Sequence, residues 1–307
     1  MRSIGRFKSY WIGGELVDGG GTLDLQAVAD AVKDKLTGSA PEISETSRFP
    51  DFGNGEAKRK WFKLDEIVVV FADLKNSTAL GVNKHDKSTS RIYEASTGVG
   101  VRLLQNFHPK FVEVQGDGFF GVFHGDSAAV KAMTAAMILA HFSKYILEPQ
   151  IKKSRDATSC PDTGLKLGVA TGRTLVKQIG VPGFERPIWA GKPVNYAAKC
   201  AESGQAHQVV VTKNVYEHTV RRNNFLMQPC YHDGHPKEGM LWNQLDSGSM
   251  WKMVEVDGIP EKCLARDAPW CDGKEDNEYL PTNFARKLLA GEHIRATKWF
   301  QRNGKWL

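Results

Sequence analysis

Residues 67–78 read IVVVFADLKNST, and this stretch constrains the fold more than any other. A near-continuous apolar run reads as a buried strand. It ends on a lone carboxylate, Asp73, and turns at once into Asn76, Ser77 and Thr78. A charge at the end of a buried strand calls for a partner beyond that end.

The surrounding pattern predicts the frame. Residues 66–73 predict a strand, and residues 86–106 a helix in spite of Gly98 and Gly100. FVEV and FFGVF predict a hairpin closed by QGDG, and residues 126–147 an amphipathic helix capped by Asp126 or Ser127. LKLGVATG and RTLVKQIG predict two more strands, PVNYAAKCAES a helix, HQVVVT a strand and KNVYEHTV a helix. The order βαββαβ predicts an α+β, ferredoxin-like sheet with helices on one face.

This domain is placed at residues 61–257. Residues 1–60 read as an N-terminal extension and linker. Leu25, Val28, Ala31, Val32 and Leu36 have helical spacing there, with Asp24 as cap and Gly38 as stop, before a polar stretch expected to be a linker or long loop. Residues 258–307 read as a C-terminal extension whose last part is basic and carries Trp299 and Trp306.

Composition bounds the function classes. At 41% hydrophobic and 25% charged, the 307-residue chain has the make-up of a globular protein. No apolar run reaches the ~18 residues of a membrane helix. The basic N-terminus lacks the apolar stretch of a secretory signal. Cys160, Cys200, Cys230, Cys263 and Cys271 are scattered and odd in number, which suits a reducing cytoplasm rather than a disulfide framework. The net charge of +6 suits an anionic partner, a polyphosphate or a nucleic acid, without choosing between them.

Asp117 falls at the tip of the predicted hairpin, in VEVQGDGFF. Neighbouring strands of one sheet would bring Asp73 and Asp117 to the same edge. Two carboxylates with open coordination positions suit two Mg²⁺ ions held jointly with substrate phosphates. Backbone N–H groups of the KNST turn suit the phosphates themselves. Each feature alone has a plainer reading, a helix cap or a hairpin turn. The pair in this frame points to chemistry, as in polymerase-palm nucleotidyl transferases.

FADLKNSTAL, VEVQGDGFFGVF, LGVATGRTLVKQIG and IWAGKPVNYAAKCAE resemble, in that order, the motifs of class III nucleotidyl cyclases, the adenylyl and guanylyl cyclase catalytic domains. The resemblance covers about residues 61–220. It implies that Asp73 and Asp117 bind two divalent metal ions, Mg²⁺ or Mn²⁺, and that Asn76, Ser77 and Thr78 form the phosphate-binding turn. It implies that Arg173 contacts the triphosphate and Asn195 orients the ribose. Lys199 falls where the family usually carries a transition-state arginine, and lysine offers a point charge instead of a planar fork. It further implies a homodimer with active sites shared between two chains.

In the same resemblance two positions read the base. They are Glu113, four residues before Asp117, and Ile188, seven before Asn195. Neither the adenylyl pair (Lys with Asp or Thr) nor the guanylyl pair (Glu with Cys) is complete. Glu113 accepts equally from guanine, from uracil N3–H and from cytosine N4–H₂, and Ile188 offers no hydrogen bond. A short chain with this base pair and without receptor or membrane modules resembles the bacterial Pycsar antiphage cyclases. That implies cyclic UMP or cyclic CMP as product, with UTP favoured over CTP, and a separate cyclic-nucleotide-responsive effector. The alternatives are a purine cyclase using GTP or ATP, and a non-catalytic nucleotide-binding module of the same fold.

Two further signals carry less. Cys230, His232, His235, Cys263 and Cys271 fit no standard zinc spacing. The basic tail (Arg286, Lys287, Arg295, Lys298, Arg302 and Lys305) is expected to pack its aromatic residues on the domain rather than bind nucleic acid.

Overall fold

The structure, a computed structural model, describes residues 10–12, 15–17, 24–81, 86–154, 160–181, 183–217, 229–232, 235–240 and 251–267. In chain order its first elements are β1 (Tyr10–Ile12), β2 (Glu15–Val17), α1 (Leu25–Thr37), β3 (Ile43–Glu45), α2 (Glu56–Arg59), β4 (Trp61–Leu74) and α3 (Ser77–Gly81). Then come α4 (Asp86–Tyr93), α5 (Val99–Gln105), β5 (Phe111–Gln115), β6 (Gly118–Phe123), α6 (Ala128–Phe142), α7 (Glu148–Lys153) and β7 (Leu165–Ile179). The last are β8 (Arg186–Gly191), α8 (Lys192–Ser203), β9 (Val209–Val211), α9 (Lys213–Val215), β10 (Pro229–His232), β11 (His235–Met240), β12 (Trp251–Val254) and β13 (Cys263–Arg266). π-Helical turns, Glu94–Gly98 and Ser143–Leu147, join α4 to α5 and α6 to α7. The described residues fall into two compact units. One runs up to Leu64 and includes Leu175–Ala190; the other takes Asp65–Thr174 and the residues from Gly191 on.

The second unit carries the expected α+β sheet, with strand order β12-β13-β9-β7-β4-β6-β5. β4 pairs antiparallel with β6, β6 with β5, and β7 parallel with β9. Val68, Val70, Ala72 and Leu74 of β4 pack in one core with Phe119, Phe123 and the α6 residues Met133, Ala136 and Met137. On the other face the Phe71 and Phe120 rings stack at 5.9 Å with 6° between planes, and Ile67 and Val69 are fully buried. Both faces of β4 are covered, which is why its sequence runs apolar without alternation.

Five expectations change here. The helices do not share one face of the sheet: α6 packs in one core with Leu167 and Val169 of β7, while α8 meets the intervening Gly168 from the other side. Helix α6 is not amphipathic: 12 of its 15 residues are buried, because it lies in the core rather than over it. LKLGVATG and RTLVKQIG form one strand of 15 residues, β7, with Gly172 inside it. Gly172 takes φ +150 there, a conformation open to glycine, so the strand runs through it while pairing with β4 along the sheet and with β9 at Leu167–Val169. The KNVYEHTV helix is described only to Glu217, and α9 itself spans three residues. Residues 40–60 are not simply a linker, since they contain β3, paired parallel with the start of β4, and the turn of helix α2.

In the first unit, Asp24 caps α1 by accepting from the backbone N–H groups of Gln26 and Ala27 at 2.9 and 3.2 Å, and Gly38 ends it. None of its residues is buried. Phe49, Phe52 and Trp189 form a cluster with ring centroids about 6 Å apart, and Lys58 pairs with Glu185 at 2.7 Å.

Candidate active site

The register of the β4–β6–β5 sheet assembles the carboxylates. Ala72 pairs with Phe119 and Gln115 with Gly118, so Gly116 and Asp117 form the two-residue tip of the β5–β6 hairpin. Asp73, the next residue of β4, comes to the same edge. Asp73, Leu74, Asn76, Ser77, Thr78, Ala79, Asp117 and Lys166 line one open cavity of about 630 Å³. The cavity therefore joins five of the ten residues singled out from the sequence.

The walls of this cavity are tied down from outside it. The Thr97 hydroxyl, on the first π-helical turn, donates to the Asp117 carbonyl at 2.9 Å. The turn after β4 is held by residues 162–164. Lys75 N–H donates to the Gly164 carbonyl at 3.0 Å, and the Thr163 hydroxyl to the Lys75 carbonyl at 3.0 Å. The Asn76 side-chain amide donates to the Asp162 carbonyl at 2.8 Å. Lys75 Nζ meets Asp162 at 2.8 Å and Gln205 at 2.7 Å. Asn76 itself has φ 59, a left-handed conformation that asparagine tolerates better than most residues.

Lys166, on β7, places its ammonium 2.7 Å from the Asp73 carboxylate. Sequence reading missed it, although a lone charge in the apolar run LKLGVA was the available signal. Thr97 was missed as well, because nothing local marks a π-helical turn. The start of β7 is fixed by a hydrogen-bond chain. Leu165 N–H donates to the Ser143 hydroxyl at 2.6 Å, Ser143 meets His207 Nδ1 at 2.8 Å, and His207 Nε2 lies 3.2 Å from Glu148. Burial holds the His207 imidazole below its ordinary pKa, outweighing the opposing pull of Glu148.

The donor set fits a divalent cation. Both candidate ligands are hard carboxylate oxygens, and the cavity already draws a cation, Lys166, onto one of them. Among the described residues no group of three or more His, Cys, Asp or Glu is placed to hold a metal. The two carboxylates that line the cavity suit a Mg²⁺-type ion, which takes one or two carboxylates and completes its shell with water and phosphate oxygens.

The other predicted residues are not among those that line this cavity. Arg173 is exposed on β7. Asn195 is exposed on α8, its amide donating to the Gly191 carbonyl at 3.3 Å. Lys199, one turn along α8, donates to the Asp257 carbonyl at 3.1 Å. The helix approaches β7 closely at Gly168, where a Cβ would come 1.9 Å from the Ala197 carbonyl oxygen. Glu113 is half-buried on β5, opposite Phe120. Ile188, in the first unit, is 45% exposed. Of the zinc candidates, Cys263 is buried 3.9 Å from Cys200, while the side chains of Cys230, His232, His235 and Cys271 lie outside the described residues. So does the basic tail. No helix among the described residues is long and apolar enough to cross a membrane.

A carboxylate pair on neighbouring strands and a polar turn beside it thus share one edge of a βαββαβ sheet. The chain belongs to the adenylate and guanylate cyclase catalytic domain family, which it matches over residues 60–231. Among its relatives is a uridylate cyclase from Micromonospora echinofusca, 37% identical over 261 residues that make up 81% of each chain. Another, from Propioniciclava tarda, is 36% identical over 241 residues, covering 76% of this chain and 72% of that one. Among solved structures, the adenylyl cyclase CyaB from P. aeruginosa superposes with a TM-score of 0.52 over 71% of this chain and 98% of its own. At 13% identity that likeness concerns the fold alone.

Proposed function

We propose that the protein is a pyrimidine nucleotidyl cyclase. It converts UTP, in preference to CTP, to the 3′,5′-cyclic monophosphate and pyrophosphate. The observation that carries this reading is the cavity that Asp73 and Asp117 share with Asn76, Ser77 and Thr78. The names of the two relatives support the choice of uracil.

Asp73 and Asp117 would hold two divalent ions, Mg²⁺ or Mn²⁺. Bound there, the metals would lower the pKa of the ribose 3′-hydroxyl and neutralise the triphosphate. Asn76, Ser77 and Thr78 would line the phosphates. Asn195 would orient the ribose, and Arg173 and Lys199 would offset the charge that develops as pyrophosphate leaves. Glu113 would accept from uracil N3–H, with Ile188 packing against the base.

Arg173, Asn195 and Lys199 do not line the carboxylate cavity of their own chain. A homodimer would complete each site, one chain contributing the carboxylates and its partner the α8 residues. The product would act in the cytoplasm on a separate effector, as the signal of an antiphage response.

The test is incubation of purified protein with each of the four ribonucleoside triphosphates and Mn²⁺ or Mg²⁺, with products resolved by mass. Cyclic UMP that disappears in Asp73→Ala is the expected result. Cyclic GMP or cyclic AMP as main product would overturn the pyrimidine assignment. No cyclic product from any substrate would favour a nucleotide-binding module.

A further inference from the structure

Lys199 is not loosely placed on its helix. Its ammonium donates to the Asp257 carbonyl at 3.1 Å, in the turn between β12 and β13. That turn is closed by Ile259 N–H donating to the Val256 carbonyl at 3.0 Å. Gly258 has φ +71, and a Cβ there would fall 1.9 Å from Lys199 Nζ and 3.2 Å from its Cε. The turn thus has a notch one methyl group deep, and the end of the lysine fills it.

The notch is itself anchored. Val256, Ile259, Cys263 and Ala265 pack in a separate small core with Cys200, the neighbour of Lys199 on α8. The turn and the helix therefore move together, and the distance between the lysine stem and its acceptor is set by packing.

We propose that the Val256–Ile259 turn is the positioning element for Lys199. The Asp257 carbonyl and the Gly258 notch hold the ammonium at one point, so that a lysine can serve where the family uses an arginine. The inference rests on the transition-state role proposed for Lys199 above. Its physical reason is the difference between the two cations. A guanidinium fork orients itself on a phosphate, whereas a lysine brings one point charge on a flexible four-carbon stem. Anchoring the ammonium removes that freedom before the substrate binds. A neutral carbonyl is the suitable anchor. It takes one of the three ammonium protons, leaves two for the pyrophosphate, and cancels none of the charge.

The experiment compares wild type, Gly258→Ala, Lys199→Ala and the double variant, using whichever nucleoside triphosphate the protein turns over. Gly258→Ala should lower kcat about tenfold, as misplacement of a reacting-centre group does, with KM changed less than about twofold. In the Lys199→Ala background the same change should have no further effect, because the two residues act as one unit. An equal loss in both backgrounds, or no loss in either, overturns the inference. Wild-type kcat in Lys199→Ala overturns the role assigned to Lys199 instead, and the positioning argument falls with it. Alanine is strained at φ +71, so Gly258→Asn is run alongside. Asparagine tolerates that backbone yet still places a Cβ in the notch. It should reproduce the kcat loss at an unchanged melting temperature, and normal kcat in this variant would also overturn the inference.

Discussion

The second unit presents its chemistry at two places that differ in kind. At the sheet edge, the carboxylates, the turn and Lys166 face one another across a single cavity, and each wall is hydrogen-bonded to a segment behind it. On α8 and the middle of β7, Asn195 and Arg173 are exposed. Among the described residues, the side chains of Asn195 and Lys199 donate to the backbone carbonyls of Gly191 and Asp257. The first place lies within one chain; the second, in the function proposed above, would serve the cavity of a partner chain. A site split in this way is what an isologous or head-to-tail pair of chains can close.

The most drastic way to break the comparison is to remove the carboxylate that defines the first place. Asp73→Ala should abolish cyclic product while leaving the melting temperature nearly unchanged, since Asp73 is a half-buried edge residue whose ion-pair partner among the described residues is Lys166. Thermal unfolding beside a mass assay measures both.

The split itself is tested by mixing. An inactive Asp73→Ala chain and an impaired Lys199→Ala chain should together regain up to about a quarter of wild-type activity after subunit exchange, because about half of all dimers are then mixed and each mixed dimer carries one intact site of two. Dimers shown by mass to be mixed and still inactive would place both halves in the same chain.

A smaller effect sharpens the picture of the first place. Lys166 competes with any metal for Asp73, and a partly exposed ion pair of this kind is worth about 1 kcal/mol. Lys166→Met should therefore tighten Mn²⁺ binding about fivefold, read by calorimetry without substrate. Weaker triphosphate binding with unchanged metal binding would make Lys166 a phosphate ligand. Thr97→Val removes the bond that holds the Asp117 carbonyl, and it should weaken metal binding about tenfold if hairpin placement behaves as other supporting contacts do.

The least effect is expected from acid. Burial lowers the His207 pKa in the folded chain. Above its ordinary value of about 6.5 the imidazole is neutral in both states and costs nothing. As pH falls below that value, the unfolded chain takes up a proton that the folded chain resists, and stability declines toward the lowered folded pKa. His207→Gln should flatten this part of the melting-temperature profile.

Much of the first place could be read before folding. A strand with both faces buried has no reason to end on a carboxylate, so Asp73 stood out, and GDG between two apolar strands marked Asp117. The hairpin is local, and local pairing follows from local pattern. Lys166 and Thr97 were not readable in the same way. Each reaches the cavity from an element nearly a hundred, or about twenty, residues from its partner. Their roles depend on a strand neighbour and a π-helical turn that no short window encodes. Helix α1 teaches the converse. Its apolar spacing predicted the helix, and Asp24 and Gly38 its two ends, yet none of the helix residues is buried.

By itself, then, the order of residues determined most of the strands, the hairpin tip, the cap of α1 and the residue types able to hold metal and phosphate. Those depend on alternation, caps and turns, all of which act over a few residues. Only the tertiary structure decided that Gly172 stays inside a strand, that α6 is buried nearly all round, that Lys166 meets Asp73 and that Lys199 rests on the Asp257 carbonyl. Each of these is a choice among partners far apart in the chain, and such choices are made by packing and pairing once the whole sheet has formed.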